Sequence, residues 1–314
     1  MSDRTERYVH YHNSLWEINE RAASDPVSFA AESEQAYRSA LTRIARRAAH
    51  DRADCRVVLL AGPSASGKTT TASLLSKALE TFGMSSFVFS LDNFYRSEDE
   101  TPRQEDGTPD FESVEALDIA AIRECLLSLI TKRRCEMPVF DFERHRPAEN
   151  KLHVELPPRS LVLMEGLHAL NPVLSEGMPR GRLLHAYLSV KQGVDGENSP
   201  LLSPNDMRLI RRLVRDARSR ACPAERTLAM WPSVMRGESR YIKPFRPPAE
   251  ITINTFLAYE GCVLGPEVCR LLSEVPPESP YYGEARRIFV AAERFAPLPV
   301  SLVPPDSILH EFLG

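Results

Sequence analysis

The sequence predicts an α/β fold built on a doubly wound parallel sheet, and three observations carry that prediction. Short apolar runs alternate with helical patterns from Val57 to about Asn254, which is how strands joined by crossover helices look in a sequence. The first run, Val57–Ala61, leads straight into Gly62-Pro63-Ser64-Ala65-Ser66-Gly67-Lys68-Thr69-Thr70 and a helical pattern. That is a G-x-x-x-x-G-K-[ST] phosphate-binding loop in the strand–loop–helix setting it requires. No apolar run approaches transmembrane length, and the six cysteines are scattered without a C-x-x-C pair. Neither a membrane fold nor a zinc or disulfide scaffold competes.

The elements follow in chain order. Residues 1–55 read as a helical extension: Asp25-Pro26 supplies a cap and a first-turn proline, and Phe29, Tyr37, Leu41, Ile44 and Ala48 recur near helical spacing. The expected strands are Val57–Ala61 and residues 87–91, 161–164, 184–190 and 251–254. Residues 96–110 are acidic and turn-rich and read as an exposed loop. Residues 138–142 and 152–156 flank a polar loop and are expected to pair as a small β-hairpin beside the main sheet. Helical patterns return over 256–272 and 284–295, followed by a proline-rich stretch and the ending Ser307-Ile308-Leu309-His310-Glu311-Phe312-Leu313-Gly314. The expected organisation is one catalytic domain over 56–256, of the P-loop NTPase type, with helical additions at 1–55 and 257–314. The last of these is expected to pack on the catalytic domain.

Composition narrows the function classes. With 314 residues, 43% hydrophobic and 26% charged, the chain can bury a full core. A net charge of −4 argues against a general binder of nucleic acid or of a membrane surface. An N-terminus without an apolar signal core, together with dispersed cysteines, points to a cytoplasmic protein with reduced thiols. Nothing in the sequence excludes a homo-oligomer.

The chemistry begins at the loop. Gly62 and Gly67 free the backbone so that Ser64, Ala65, Ser66 and Thr70 can turn N–H groups to a phosphate. Lys68 brings a point charge to the β/γ-phosphates, the Thr69 hydroxyl can hold Mg²⁺, and the following helix aims its dipole at the same anion. This chain is expected to bind a nucleoside triphosphate, ATP with Mg²⁺. Asp92, in Ser90-Leu91-Asp92-Asn93-Phe94-Tyr95, ends the second strand, where it can accept a proton from an attacking hydroxyl or help hold the metal. Glu165 ends the strand of Leu161-Val162-Leu163-Met164-Glu165 and is expected to act on Mg²⁺ or its water.

Further along, Arg208, Arg211, Arg212, Arg215 and Arg218 step by three and four residues along a predicted helix. Like charges so spaced repel unless an anion is brought to them. This reads as a lid helix closing over the triphosphate, with Arg212 and Arg215 neutralising charge as the phosphoryl group moves. Phe140 and Phe142, with His145 nearby, combine aromatic faces and a polar edge suited to a planar base. Asp110 is a candidate for sugar hydroxyls.

Taken in order, these blocks resemble the uridine kinase and phosphoribulokinase family of P-loop kinases: GPSASGKTT at 62–70, SLDNFY at 90–95, TPDFESVEALD at 108–118, PVFDFERHR at 138–146, LMEGLH at 163–168 and DMRLIRRLVRD at 206–216. MWPSVMRGE at 230–238, SEVPPESP at 273–280 and the PPDSILHEFLG ending are similar to a bacterial nucleoside kinase branch whose kinase region follows a TGS domain. The chain is expected to hold the kinase portion without a complete TGS region. The resemblance implies ATP-dependent phosphorylation of a nucleoside 5′-hydroxyl, uridine or cytidine, with Asp92 as catalytic carboxylate and Lys68, Thr69 and Glu165 at the phosphate and Mg²⁺ positions. It implies Asp110 and Arg208 at the ribose, and Phe140 and His145 at the pyrimidine. Phe140 stands where well-studied uridine kinases carry a tyrosine, which loosens the expectation about the base. Two other readings stay open: a kinase of another sugar or small alcohol, and a regulatory ATPase acting on a partner.

Overall fold

The computed structural model describes residues 13–51, 56–104, 107–141, 144, 146–247 and 249–314. Five parallel strands form the central sheet: β1 Val57–Ala61, β2 Ser85–Ser90, β3 Ser160–Gly166, β4 Leu183–Ser189 and β5 Ile251–Asn254, in the order β5-β4-β1-β3-β2. The chain winds outward in both directions from β1, so the crevice beyond the carboxyl ends of β1, β3 and β2 is where a ligand fits. The expected fold class is the one observed.

Both faces of the sheet are covered, which is why its strands read as continuous apolar runs. Along β1, Val58 and Leu60 enter one core while Val57, Leu59 and Ala61 enter the other, the two-residue alternation of a strand. On the first face lie α1 Leu15–Ser24, α2 Pro26–Arg46, α3 Lys68–Glu80, and the chain's later helices. On the other lies α4 Ile119–Lys132. The later helices are α5 Pro204–Arg220, α6 Ala224–Gly237, α7 Glu260–Ser273 and α8 Tyr282–Ala292. Asp25 caps α2 by accepting from the Ser28 amide at 3.1 Å, as its place before Pro26 predicts. Among the described residues no helix is long and apolar enough to cross a membrane, and the described cysteines are free thiols.

Two expectations about local structure change. The strand over 152–155 does not pair with residues 138–142. Its antiparallel partner is Arg134–Met137, which continues directly from α4, while Phe140–Asp141 pairs with Arg146–Pro147 in a second, two-residue ladder. Apolar content alone could not choose between these partners, because both candidate stretches carry apolar residues. The edge strand β2 also starts earlier than its apolar run. Ser85 and Ser86 are paired, and the Ser86 hydroxyl donates to Ser76 on α3 at 2.7 Å.

The arginine-bearing helix departs most from expectation. α5 starts with a capping box, Ser203 and Asp206 bonding to each other's backbone, and Pro204 in its first turn. Its Met207, Leu209, Ile210, Leu213 and Val214 are all in the core, so α5 is packed into the body of the protein. The like charges are neutralised from within. Arg208 pairs with Glu238 at 2.6 Å, Arg211 with Glu260 at 2.5 Å and Arg212 with Asp216 at 3.1 Å.

Arg211 and Glu260 have fully buried side chains. Arg211 also donates to the Thr255 carbonyl at 2.6 Å, and the Phe312 ring lies 5.0 Å beneath its guanidinium. Removing one partner strands the other charge in a dry interior. Glu260→Ala is expected to destabilise the fold by about 3–5 kcal/mol, measured as a loss of unfolding free energy in urea. The double variant Arg211→Met/Glu260→Leu should recover much of that loss.

Candidate active site

The phosphate loop owes its shape to two glycines and to the guanidinium groups behind it. Gly67 has φ of +85°, and an added Cβ would lie 2.2 Å from Ile308 Cδ1. At Gly62 a Cβ would lie 2.6 Å from Ser66 Oγ and 2.9 Å from the Leu188 carbonyl. Ala65 is also left-handed, with φ of 58°, a conformation that costs about 1–2 kcal/mol for a residue with a Cβ. What holds it there is α5: Arg208 Nε donates to the Ser64 carbonyl at 3.0 Å, Arg211 Nη1 to the Ala65 carbonyl at 3.4 Å and Arg212 Nη1 to Ser64 Oγ at 2.9 Å. With its carbonyls tied back, the loop has N–H groups left for an anion.

Lys68, the first residue of α3, donates to the Pro63 carbonyl at 3.2 Å. By surface area it is only half-buried, yet enough protein surrounds its ammonium for burial to lower its pKa, opposed by Glu165, Glu311 and Asp92. Thr69 is exposed at the same helix start. Glu165, at the end of β3, is 2% exposed and accepts from the Ser90 hydroxyl at 2.6 Å. Burial, reinforced by the charge of Asp92, pushes its pKa up to about 7. Asp92 is exposed on the 3₁₀ turn Leu91–Phe94 that ends β2, its amide 3.4 Å from the same Ser90 oxygen. Asp92, Glu165, Lys68 and Thr69 therefore meet at the carboxyl ends of β1, β2 and β3.

The remaining expected residues divide. Arg215 bonds to Asp216 at 2.8 Å and is half-buried at the loop side of α5. Arg208 is 2% exposed, with Nη1 on Glu238 and Nε on the loop, so it braces the loop where the resemblance implied a ribose contact. Asp110 accepts from the Tyr241 hydroxyl at 2.9 Å. Phe140 is 7% exposed and packs edge-on against Tyr95, centroids 5.9 Å apart. Phe142 and His145 lie outside the described residues.

Two groups belong here that sequence reading did not single out. Glu112, two residues after Asp110, lies in the field of Arg212 and Lys68, and burial raises its pKa to about 7. No spacing rule separates the two carboxylates, because the chain turns between them: the Ser113 amide returns to the Asp110 carbonyl at 3.2 Å. Buried His168 stands 6.4 Å from the Tyr241 ring, centroid to centroid, with its pKa pushed down to about 4 by burial. The backbone of Glu112 and Tyr241 approaches it, but neither ring nitrogen has a partner of good geometry among the described residues. Its place in LMEGLH was the available signal.

Comparison with known proteins bears on this constellation. The model of the phosphoribulokinase/uridine kinase family matches residues 57–258, from the first strand through the last. The chain belongs to that family. This kinase is 26% identical over 198 residues to the uridine kinase of Lactobacillus johnsonii, covering 63% of its own chain and 85% of the relative. It is 26% identical over the same length to that of Staphylococcus aureus, covering 63% and 86%. Among solved structures, a putative fructose transport system kinase from a Silicibacter species aligns with TM-score 0.48 and 20% identity, over 68% of this chain and 98% of the other.

The residues present fit what such kinases use. The glycine positions leave a cradle that side chains would fill, with Thr69 exposed at the helix start and the Glu165 carboxylate buried at the end of β3. No group of three or more potential metal-ligating side chains exists among the described residues. A Mg²⁺ completed by phosphate oxygens and water needs none.

The raised carboxyl pKa values set a pH dependence. Glu112 and Glu165 keep protons up to about 7 in the folded chain, against an ordinary value near 4.5. Between those limits the folded state holds more protons than the unfolded one. Their contribution therefore favours folding at the acid end and is lost as pH rises through the window. Urea unfolding of the ligand-free protein across that range should show a flatter pH dependence once both residues are changed to Gln.

Proposed function

We propose that this kinase transfers the γ-phosphoryl group of ATP to the 5′-hydroxyl of a nucleoside, uridine or cytidine. The observation that carries the reading is the convergence of Asp92 with Lys68 and Glu165 at one end of the sheet. Two uridine kinases among its relatives support the acceptor. Asp92, exposed and on a turn anchored through Ser90, accepts the proton of the attacking hydroxyl. Lys68 follows the charge onto the phosphoryl oxygens, and Arg212 and Arg215 flank the loop as further cations. Thr69 and Glu165 would hold Mg²⁺, which neutralises charge on the β- and γ-phosphate oxygens. Glu112 offers acceptor oxygens to the ribose nearer the phosphate than Asp110 does, and Tyr95, Phe111 and Phe140 form an edge-packed aromatic wall for a base.

One observation favours a second reading. Asp110 and Tyr241 line a groove of about 1120 Å³ that Arg103, Arg236 and Arg240 also line. Three guanidinium groups suit an acceptor with its own phosphate or carboxylate, a sugar phosphate or an acidic alcohol.

Lys68→Ala should lower turnover by roughly a hundredfold or more, since the lost contact strengthens in the transition state. Asp92→Asn should keep ATP binding, measured calorimetrically, while phosphate transfer disappears. Turnover that survives in Asp92→Asn would assign the base elsewhere.

A panel of nucleosides, sugar phosphates and small acidic alcohols, assayed for ADP release, decides the acceptor. Uridine and cytidine are expected to turn over, and Phe140→Tyr to sharpen their preference over purine nucleosides. Turnover confined to anionic acceptors, and lost in Arg236→Ala, would select the second reading.

A further inference from the structure

The segment after the last helices returns to the phosphate loop. Ser307, Ile308, Leu309 and Phe312 are at most 1% exposed. Arg38 bonds Asp306 at 2.6 Å, and Arg218 donates to the Leu313 carbonyl at 2.6 Å. Ile308 fills the space where Gly67 lacks a side chain. From this anchored turn Glu311 reaches the start of α3, where its Oε2 accepts from the Thr70 amide at 3.0 Å. Its carboxylate is also among the charges felt by Lys68.

Thr70 is the third residue of α3, so its N–H is one of the donors with no partner inside the helix. In a loop of this kind these are the donors offered to phosphate. One N–H cannot fully serve two anions, and two anions at one helix start repel each other. The rest of the segment gives Glu311 no help in leaving. Ile308, Leu309 and Phe312 would have to leave the core with it, so only the Glu311 side chain can give way locally.

We infer that Glu311 is a resident phosphate mimic: its carboxylate holds the Thr70 amide in the absence of nucleotide and must be displaced when phosphate binds. The contact is autoinhibitory, because every nucleotide that enters has to break a charge-assisted hydrogen bond first. The inference rests on the reading of the loop as an ATP site. It does not depend on which acceptor is phosphorylated.

Titration calorimetry of ADP and of pyrophosphate into the wild-type protein, Glu311→Gln and Glu311→Ala tests it without any acceptor. Gln keeps the shape and an acceptor oxygen but removes the charge, while Ala frees the amide. Both ligands should bind roughly three- to tenfold tighter to the variants, the scale expected for an anion at a helix start. Thermal unfolding midpoints check that all three proteins are folded, and Gln keeps the test informative if Ala loosens the segment. Equal or weaker binding by a folded Glu311→Gln protein overturns the inference, since Glu311 is then a neutral cap or an aid to the nucleotide. If neither ligand binds any of the three proteins, the ATP-site reading fails and this one with it.

Discussion

The buried pair between Arg211 and Glu260 joins parts of the chain that are far apart in sequence. Its guanidinium reaches the loop carbonyl of Ala65, the Thr255 carbonyl just beyond β5, the first residue of α7 and the ring of Phe312. Arg208, about one turn earlier, and Arg212, the next residue, repeat the arrangement, pairing with Glu238 and Asp216 and each touching Ser64. The left-handed Ala65 is held by this framework rather than by any preference of its own. The cost of dehydrating three guanidinium groups is offset because each is paired. A rigid loop then meets its anion without reorganising.

In front of that framework, carboxylates and cations are interleaved, with Arg212 acting on Glu112 and Arg215 on Lys68. Asp92, Glu112, Glu165 and Glu311 all act on the one ammonium of Lys68 or on each other. Burial, more than the neighbouring charges, is what keeps protons on Glu112 and Glu165.

Much of this was legible in the sequence because it depends on local rules. The strand–loop–helix around Gly62 and Gly67 is fixed by neighbouring residues, and Asp92 and Glu165 are placed by a simple fact: strand ends gather at one edge of a parallel sheet. The arginine row shows where local rules stop. Three- and four-residue spacing identified the helix correctly, but the carboxylates that neutralise it, Glu238 and Glu260, lie 30 and 49 positions away. A reader of the row alone sees unpaired charge and supplies a ligand for it. Glu112 and Asp110 illustrate the same limit over two residues, since a single turn sends one carboxylate to Lys68 and the other to Tyr241. The small ladders failed differently: residues 138–142 and 134–137 both offer apolar residues, and the strand over 152–155 pairs with the stretch that follows α4.

The contact between Ile308 and Gly67 also has a consequence for how the protein is made. The phosphate loop is synthesised early, but the residues that pack on it come 241 positions later for the Thr70–Glu311 bond. Until they emerge, a nascent chain carries a glycine-rich loop whose outer surface is uncovered and whose helix start is uncapped. Contacts so distant form late and slow the last stage of folding. A nucleotide present during synthesis could occupy the helix start first, leaving the apolar half of the segment to dock around it.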